Sequence, residues 1–195
     1  IHKRGRQLIK KETIIPTFAR MSPGPGHGLI VMVLVTIATQ MDAAPDGLYI
    51  TNSTNILFSA QGSQPPISVY AQEGGRIVGM AHDYAKSKLF WSDISVMSRG
   101  IWRADVQSDG TLTNVQHIIN QNIGEINGLT VDWVSGHIYW TDGPKRSIEM
   151  SDYEGQNRKE LGIYGLKNPR GILMDSENMW LYWNDQGSQK IERCR

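Results

Sequence analysis

The residues of this chain that are best suited to chemistry are aspartates that recur at a fixed spacing. Asp83, Asp132 and Asp175 each precede a second aspartate by ten residues, and the second set is Asp93, Asp142 and Asp185. Carboxylates that meet in a cavity can act as general acids and bases or can bind a metal ion. A catalytic group is normally needed once, whereas these carboxylates recur three times in register. We therefore interpret them as structural residues, and we expect no catalytic activity, no metal site and no cofactor.

The remaining composition also argues against several classes of function. Cys194 is the single cysteine, which excludes an internal disulfide framework and a cysteine-based zinc site. The net charge is +1, but residues 1–20 hold six Lys or Arg and one acid. The other 175 residues therefore hold 14 basic and 18 acidic side chains. A mildly acidic globular part argues against nucleic acid as the partner.

The aspartates belong to a repeat that aligns without gaps three times. Its copies are GMAHDYAKSKLFWSD at 79–93, GLTVDWVSGHIYWTD at 128–142 and GILMDSENMWLYWND at 171–185. In each copy a Trp lies two residues before the second Asp, and the Trp-to-Trp spacings are 49 and 43 residues. Repeats of about 40–50 residues are typical of propeller blades or of helical arrays.

The local pattern favours the propeller. Short runs rich in β-branched and aromatic residues, such as Ile138–Thr141, are separated by turn sequences such as Asp142-Gly143-Pro144. We read four short antiparallel strands in each repeat, which makes the repeat one blade. Strands that are apolar on both faces fit a sheet that stacks against neighbours on both sides. The Asp after the aromatics is expected to accept backbone N–H groups of the turn that follows it.

The motifs resemble the YWTD repeats of the low-density lipoprotein receptor class B type. The resemblance covers about residues 47–195. It implies an all-β fold, a partial β-propeller with about three four-stranded blades of a six-bladed ring, and about half of the ring outside this sequence. The residues of the structural repeat would be Trp91, Asp93, Tyr139, Trp140, Asp142, Tyr182, Trp183 and Asp185. Family members include lipoprotein receptors and their endocytic relatives, Wnt co-receptors, the EGF precursor and nidogen.

Residues 1–46 are predicted to lie outside the propeller. They combine a basic stretch with an apolar run at 29–37, which is typical of a secretory signal peptide. An ordinary buried strand is the alternative interpretation of this run. The run is shorter than the roughly 18 to 20 residues that span a bilayer, so we expect no direct membrane insertion by this segment. An Asn-Ser-Thr sequon at Asn52 is consistent with glycosylation of a secreted chain.

Function is sought in residues that differ between the repeats. The residue before the recurrent Gly is Val78, Asn127 or Arg170, so the scaffold does not dictate its identity. The family resemblance implies that Asn127 and Arg170 contact a ligand, with Glu125 beside them. Asn-Gly and Arg-Gly are also ordinary turn sequences. Trp102 replaces the Glu of the other repeats and is either an exposed binding anchor or a residue packed by the local insertion.

The leading hypothesis is an extracellular module that binds a secreted or lipoprotein-type protein ligand through a propeller face. It would be part of a cell-surface receptor of the endocytic or Wnt co-receptor type. The alternative is a secreted matrix or growth-factor-precursor protein that is similar to nidogen. The histidines His82, His117 and His137 are candidates for ligand release at endosomal pH, but we do not expect a pH switch.

Overall fold

The described part of the chain forms four antiparallel β-sheets arranged as successive propeller blades. The structure is a computed structural model that describes residues 32–36, 47–60 and 65–195, the first of these ranges as backbone only. The described part of the chain contains no helix that is long and apolar enough to cross a membrane.

Each blade is a meander of consecutive strands. Blade 1 contains β1 (Met32–Thr36), β2 (Gly47–Thr51), β3 (Asn55–Ala60) and β4 (Ile67–Ala71). Blade 2 contains β5 (Ile77–Asp83), β6 (Lys88–Asp93), β7 (Gly100–Val106) and β8 (Leu112–Ile119). Blade 3 contains β9 (Ile126–Asp132), β10 (His137–Asp142), β11 (Ser147–Asp152) and β12 (Lys159–Glu160). Blade 4 contains β13 (Pro169–Asp175), β14 (Trp180–Asp185) and β15 (Lys190–Cys194).

The first strand of each blade is the inner strand of the arc. Strand β1 packs against β5, β5 against β9, and β9 against β13, so the four inner strands are neighbours around one centre. The all-β propeller expectation is therefore confirmed. The prediction of about three blades is one short, because the strands of blade 1 lack the Trp and Asp that mark the other three repeats.

The start of blade 1 lies upstream of the predicted domain boundary at residue 47. Residues 32–36 of the apolar run form β1, which pairs antiparallel with β2 from Met32 opposite Thr51 to Thr36 opposite Gly47. The rest of the predicted signal peptide lies outside the described residues, and the signal peptide stays a prediction.

Apolar side chains fill the space between the blades. The cluster between blades 1 and 2 includes Tyr49, Phe58 and Trp91, and the cluster between blades 2 and 3 includes Phe90 and Trp140. The neighbouring side chains Phe90 and Trp91 thus face opposite blades, as expected for strands with two apolar faces. A third cluster joins blades 3 and 4 and is formed by Ile148, Leu166, Leu181 and Trp183.

The recurrent isoleucine of the third strand differs in solvent exposure from blade to blade. Ile101 and Ile148 are fully buried, whereas Ile191 in blade 4 is 82% exposed. Strand β15 therefore presents to solvent the side-chain position that is packed in the two preceding blades.

Candidate ligand-binding site at the start of the inner strands

One end of the arc collects the starts of the inner strands and the ends of the second strands. Ile77 pairs with Asp93, Ile126 with Asp142, and Pro169 with Asp185. We call this end the aspartate edge. The loops that enter each inner strand and the loops that leave each second strand therefore lie together there.

The three aspartates of the aspartate edge have the same structural role. The carboxylate of Asp142 accepts the backbone N–H of Lys145 at 3.2 Å, in the turn that follows, and of Gly124 at 2.6 Å, in the loop before the inner strand. Asp93 accepts the N–H groups of Ser95 and Arg76 in the same way. Both the predicted turn contact and a second, unpredicted one are present, so each aspartate ties two loops together.

Asp185 repeats this arrangement in blade 4 and shows why the carboxylate stays ionised. It accepts the backbone N–H groups of Lys167, Asn168 and Ser188 at 2.7–3.1 Å. Burial acts to raise the pKa of Asp185, but these N–H donors outweigh burial and lower the pKa overall. Because its oxygens already accept backbone N–H groups, we interpret the ionised carboxylate of Asp185 as a structural group.

The other aspartate set lies at the opposite end of the arc. The carboxylates of Asp83, Asp132 and Asp175 accept the backbone N–H groups of Lys86, Val134 and Asn178, which close the turns between first and second strands. The two sets thus lie at opposite ends of their strands. The described residues contain no group of three or more His, Cys, Asp or Glu side chains that could bind a metal ion.

The residue between the Trp and the Asp links one blade to the next. The hydroxyl of Ser92 donates to the carbonyl oxygen of Ile126 at 3.1 Å, and the hydroxyl of Thr141 donates to that of Arg170. The inner strands approach closely at the same level. A Cβ on Gly128 would lie 2.2 Å from the carbonyl oxygen of Arg170, which explains the glycine at this position of blade 3.

Asn127 and Arg170, which were predicted to contact a ligand, lie together at the aspartate edge. Nη1 of Arg170 donates to Oδ1 of Asn127 at 2.9 Å, and Nδ2 of Asn127 donates to the carbonyl oxygen of Glu125 at 3.2 Å. Both side chains are partly exposed, and Glu125 is exposed. Val78, at the equivalent position of blade 2, is buried, so the polar pair is specific to blades 3 and 4.

Two further side chains of this network were not predicted. Oε1 of Gln186 accepts from Nε of Arg170 at 3.1 Å and from Nδ2 of Asn168 at 3.3 Å. Gln186 directly follows the recurrent Asp185, and Asn168 enters the inner strand. Their positions relative to the recurrent aspartate and glycine would have identified them, because the aspartate edge joins these two loops.

Trp102 is packed against neighbouring side chains, which was one of its two interpretations. Its indole ring is parallel to the ring of His117 at 4.0 Å and to that of Trp91 at 6.4 Å between centroids. Its Nε1 donates to the carbonyl oxygen of Ser98 at 3.0 Å. The expectation of a solvent-facing anchor is therefore corrected, since the side chain is half-buried in a cross-strand row and its polar atom has a partner within the chain.

The other predicted residues fall into ordinary structural positions. Trp91, Trp140 and Trp183 are buried, while Tyr139 and Tyr182 are partly buried. Asn52 lies in the tight turn between β2 and β3, where its Oδ1 accepts the backbone N–H of Asn55 at 2.9 Å. Glycosylation of its Nδ2 stays a prediction.

The histidines differ in their surroundings. His82 packs edge-on against Tyr49 and Tyr84, and burial lowers its pKa to about 4. Burial also lowers the pKa of His117. Both histidines therefore favour the neutral form more than a solvated histidine does.

Comparison with known proteins gives two informative likenesses. No protein-family model matches the chain. The low-density lipoprotein receptor-related protein 5 of Mus musculus is 31% identical over 104 residues, which are 53% of this chain and 6% of that protein. A chain from the crystal structure of a nidogen/laminin complex is 28% identical, with a TM-score of 0.63 over 78% of this chain and 56% of the other.

A third likeness bears on the fold alone. A gluconolactonase of Xanthomonas campestris superposes with a TM-score of 0.59 at 17% identity, over 72% of this chain and 51% of the enzyme. The chain thus spans a small part of the curated relative and about half of each of the two solved structures.

Proposed function

Because this chain carries YWTD repeats of the low-density lipoprotein receptor family and folds as an arc of β-propeller blades, we propose that it is an extracellular module that binds a protein ligand. The ligand contacts the aspartate edge at Asn127 and Arg170. The module belongs to a cell-surface receptor of the endocytic or Wnt co-receptor type, and its ligand is a secreted or lipoprotein-type protein.

The observation that carries this proposal is the hydrogen-bonded pair of Asn127 and Arg170. The equivalent position in blade 2 holds the buried Val78, so the scaffold does not need polar groups there. Nε and Nη1 of Arg170 bond to Gln186 and Asn127, which fixes the guanidinium plane. Among the described residues, none accepts from its Nη2. This fixed donor is suited to a carbonyl or carboxylate oxygen of a partner, and fixing it beforehand lowers the entropy cost of binding.

The likenesses support a protein as the partner. One relative is named as a receptor-related protein, and the nidogen/laminin structure is a complex of two proteins. We extend from them only the class of ligand, a protein. The aspartates are occupied by backbone N–H groups, and for that reason we expect no catalysis at this edge.

A secreted matrix protein is the second candidate. It is favoured by the likeness to the nidogen/laminin structure, which covers more of this chain than the receptor relative does. The two candidates differ in where the protein resides. Cell fractionation with an antibody against the chain distinguishes them, because a receptor stays with the plasma membrane and a matrix protein stays with the insoluble matrix.

Binding is tested with the full chain immobilised on a sensor surface. Purified laminin is the first probe, followed by an array of purified secreted proteins and low-density lipoprotein. A captured protein should lose at least tenfold in affinity when Asn127→Ala or Arg170→Ala replaces the wild type. Trp133→Ala is the control, because Trp133 is 49% exposed in the turn between β9 and β10, at the opposite end of the arc. Loss of binding with Trp133→Ala alone would move the ligand to that end.

A further inference from the structure

The loop between the second and third strands is longer in blade 2 than in the other blades. It comprises six residues, 94–99, on the aspartate edge, against four in blades 3 and 4 and three in blade 1. Its tip exposes Val96 and Met97, which are 86% and 93% accessible to solvent. Exposing two adjacent apolar side chains forgoes the gain from burying them, so the tip is a candidate contact surface.

The loop is held in one conformation by its own hydrogen bonds. The carboxylate of Asp93 accepts the backbone N–H of Ser95 and the hydroxyl of Ser98, both at 2.7 Å. The hydroxyls of Ser95 and Ser98 are also 2.7 Å apart. The apolar tip is therefore fixed by the polar residues on either side of it.

The Trp102–His117 pair supports the loop from below. In blade 3 the place of Trp102 is taken by Glu149, whose Oε2 lies 2.7 Å from Nε of Arg158. In blade 2 the aromatic stack replaces that ion pair, Nε1 of Trp102 donates to Ser98 O, and Nε2 of His117 lies 3.2 Å from Arg99 O. The end of the loop fits against this stack only because residue 100 is glycine. A Cβ on Gly100 would lie 2.2 Å from Nε2 of His117.

Basic side chains lie around the tip. Arg99 and the side chains of Asn120 and Gln121 line a concavity beside Val96 and Met97. Within the described ranges, no carboxylate lies at ion-pair distance from Arg99. Arg158 and Lys145 donate to backbone carbonyl oxygens of the loop between β8 and β9, and both also pair with the carboxylate of Glu149.

We propose that residues 94–99 and this concavity form a second protein-binding surface, and that its occupant is an acidic peptide segment with one large apolar side chain. The apolar side chain packs against Val96 and Met97. Carboxylates of the segment pair with Arg99, and its backbone hydrogen-bonds to the amides of Asn120 and Gln121. This surface is formed by residues other than Asn127 and Arg170, so it can exist whether or not a ligand binds at that pair.

The test uses a phage-displayed library of random dodecapeptides against the immobilised full chain. Enriched peptides should carry Asp or Glu on both sides of a Leu, Ile, Phe or Trp. In calorimetry with the synthetic peptide, the double variant V96S/M97S and the single variant Arg99→Gln should each lower affinity at least tenfold. All three side chains lie on the surface of one loop, so these variants are expected to fold, which the far-ultraviolet dichroism spectrum checks.

The matched controls are Asn127→Ala and Arg170→Ala, which should leave peptide binding unchanged. If peptide binding is lost in these variants but kept in V96S/M97S, the result supports the proposed function and overturns the second surface. Enrichment of basic or uncharged peptides, or no enrichment, also overturns it. Sedimentation with phosphatidylserine vesicles that depends on Val96 and Met97, without acidic peptides, would assign the loop to a membrane surface and overturn a peptide partner.

Discussion

Nη1 of Arg170 donates to Oδ1 of Asn127 at 2.9 Å, which joins side chains 43 residues apart at the starts of neighbouring inner strands. Each residue orients the other, and Gln186 fixes the far side of the guanidinium. The orientation that either side chain presents to a ligand therefore depends on both residues. The pair behaves as one unit of the proposed site.

The first prediction concerns this coupling. In the double variant N127A/R170A, the loss of ligand affinity should be smaller than the sum of the losses in the single variants, because each single change already disorders the other residue. The free energy of unfolding should change by less than about 1 kcal/mol, since both side chains are partly exposed. Calorimetry and urea denaturation measure the two quantities. Fully additive affinity losses would mean that the residues bind independently.

The second prediction concerns the recurrent tryptophan. Trp140→Ala should lower the free energy of unfolding by about 3–5 kcal/mol, because the ring is fully buried between blades 2 and 3. Trp133→Ala is the matched control and should cost less than about 1 kcal/mol, since that ring is half exposed. Urea denaturation and the secreted yield measure the difference. Equal effects from the two variants would contradict the architectural role of the repeat.

The third prediction concerns the close approach of two inner strands. Gly128→Ala should destabilise the protein by about 1–3 kcal/mol, because its Cβ would lie 2.2 Å from a backbone oxygen of the next blade. Gly171→Ala is the control at the same position of blade 4. Its Cβ would meet Oδ1 of Asn184 at 2.8 Å, the end of a side chain that can move. Thermal unfolding of both variants should rank Gly128→Ala as clearly the less stable.

The fourth prediction concerns the aspartate edge. Asp142→Ala should destabilise by about 2 kcal/mol or more, because the N–H groups of Gly124 and Lys145 both lose their acceptor. Asp142→Asn keeps one acceptor oxygen and should fall between the wild type and Ala. Asp109→Ala is the control, since Asp109 accepts a turn N–H from Thr111 at the exposed surface, where water can replace it. Chemical denaturation should show little change for Asp109→Ala.

The fifth prediction concerns pH. The pKa of His82 is about 4 in the folded protein and about 6.5 in an unfolded chain, so the unfolded state binds more protons between these values. Stability should therefore fall as the pH decreases from about 6.5 to about 4, by up to about 1.4 kcal/mol for each pH unit. His82→Gln should flatten this part of the stability profile, and the control His137→Gln should retain it. An unchanged profile in His82→Gln would assign the pH dependence to other groups.

The sequence by itself determined the blades that carry the repeat. The spacing of Gly128, Asp132, Trp140 and Asp142 predicted strands, turns and the acceptor role of Asp142, because these depend on contacts within one meander. It also predicted that the scaffold does not dictate the residue type at the positions of Asn127 and Arg170. Blade 1 was not recognised as a separate blade, because its strands fold without the Trp and Asp that define the pattern.

Only the tertiary structure decided the contacts that differ from one blade to another. It placed Trp102 in a cross-strand row with Trp91 and His117, although its exchange for Glu in the repeat had equally allowed an exposed anchor. It also joined Asn127 to Arg170 and left Val96 and Met97 exposed on a fixed loop. The periodic pattern of a repeat encodes the contacts that every blade makes within itself. Contacts between side chains that are 11 to 43 residues apart and differ from blade to blade depend on how the chain is folded, and no period in the sequence records them.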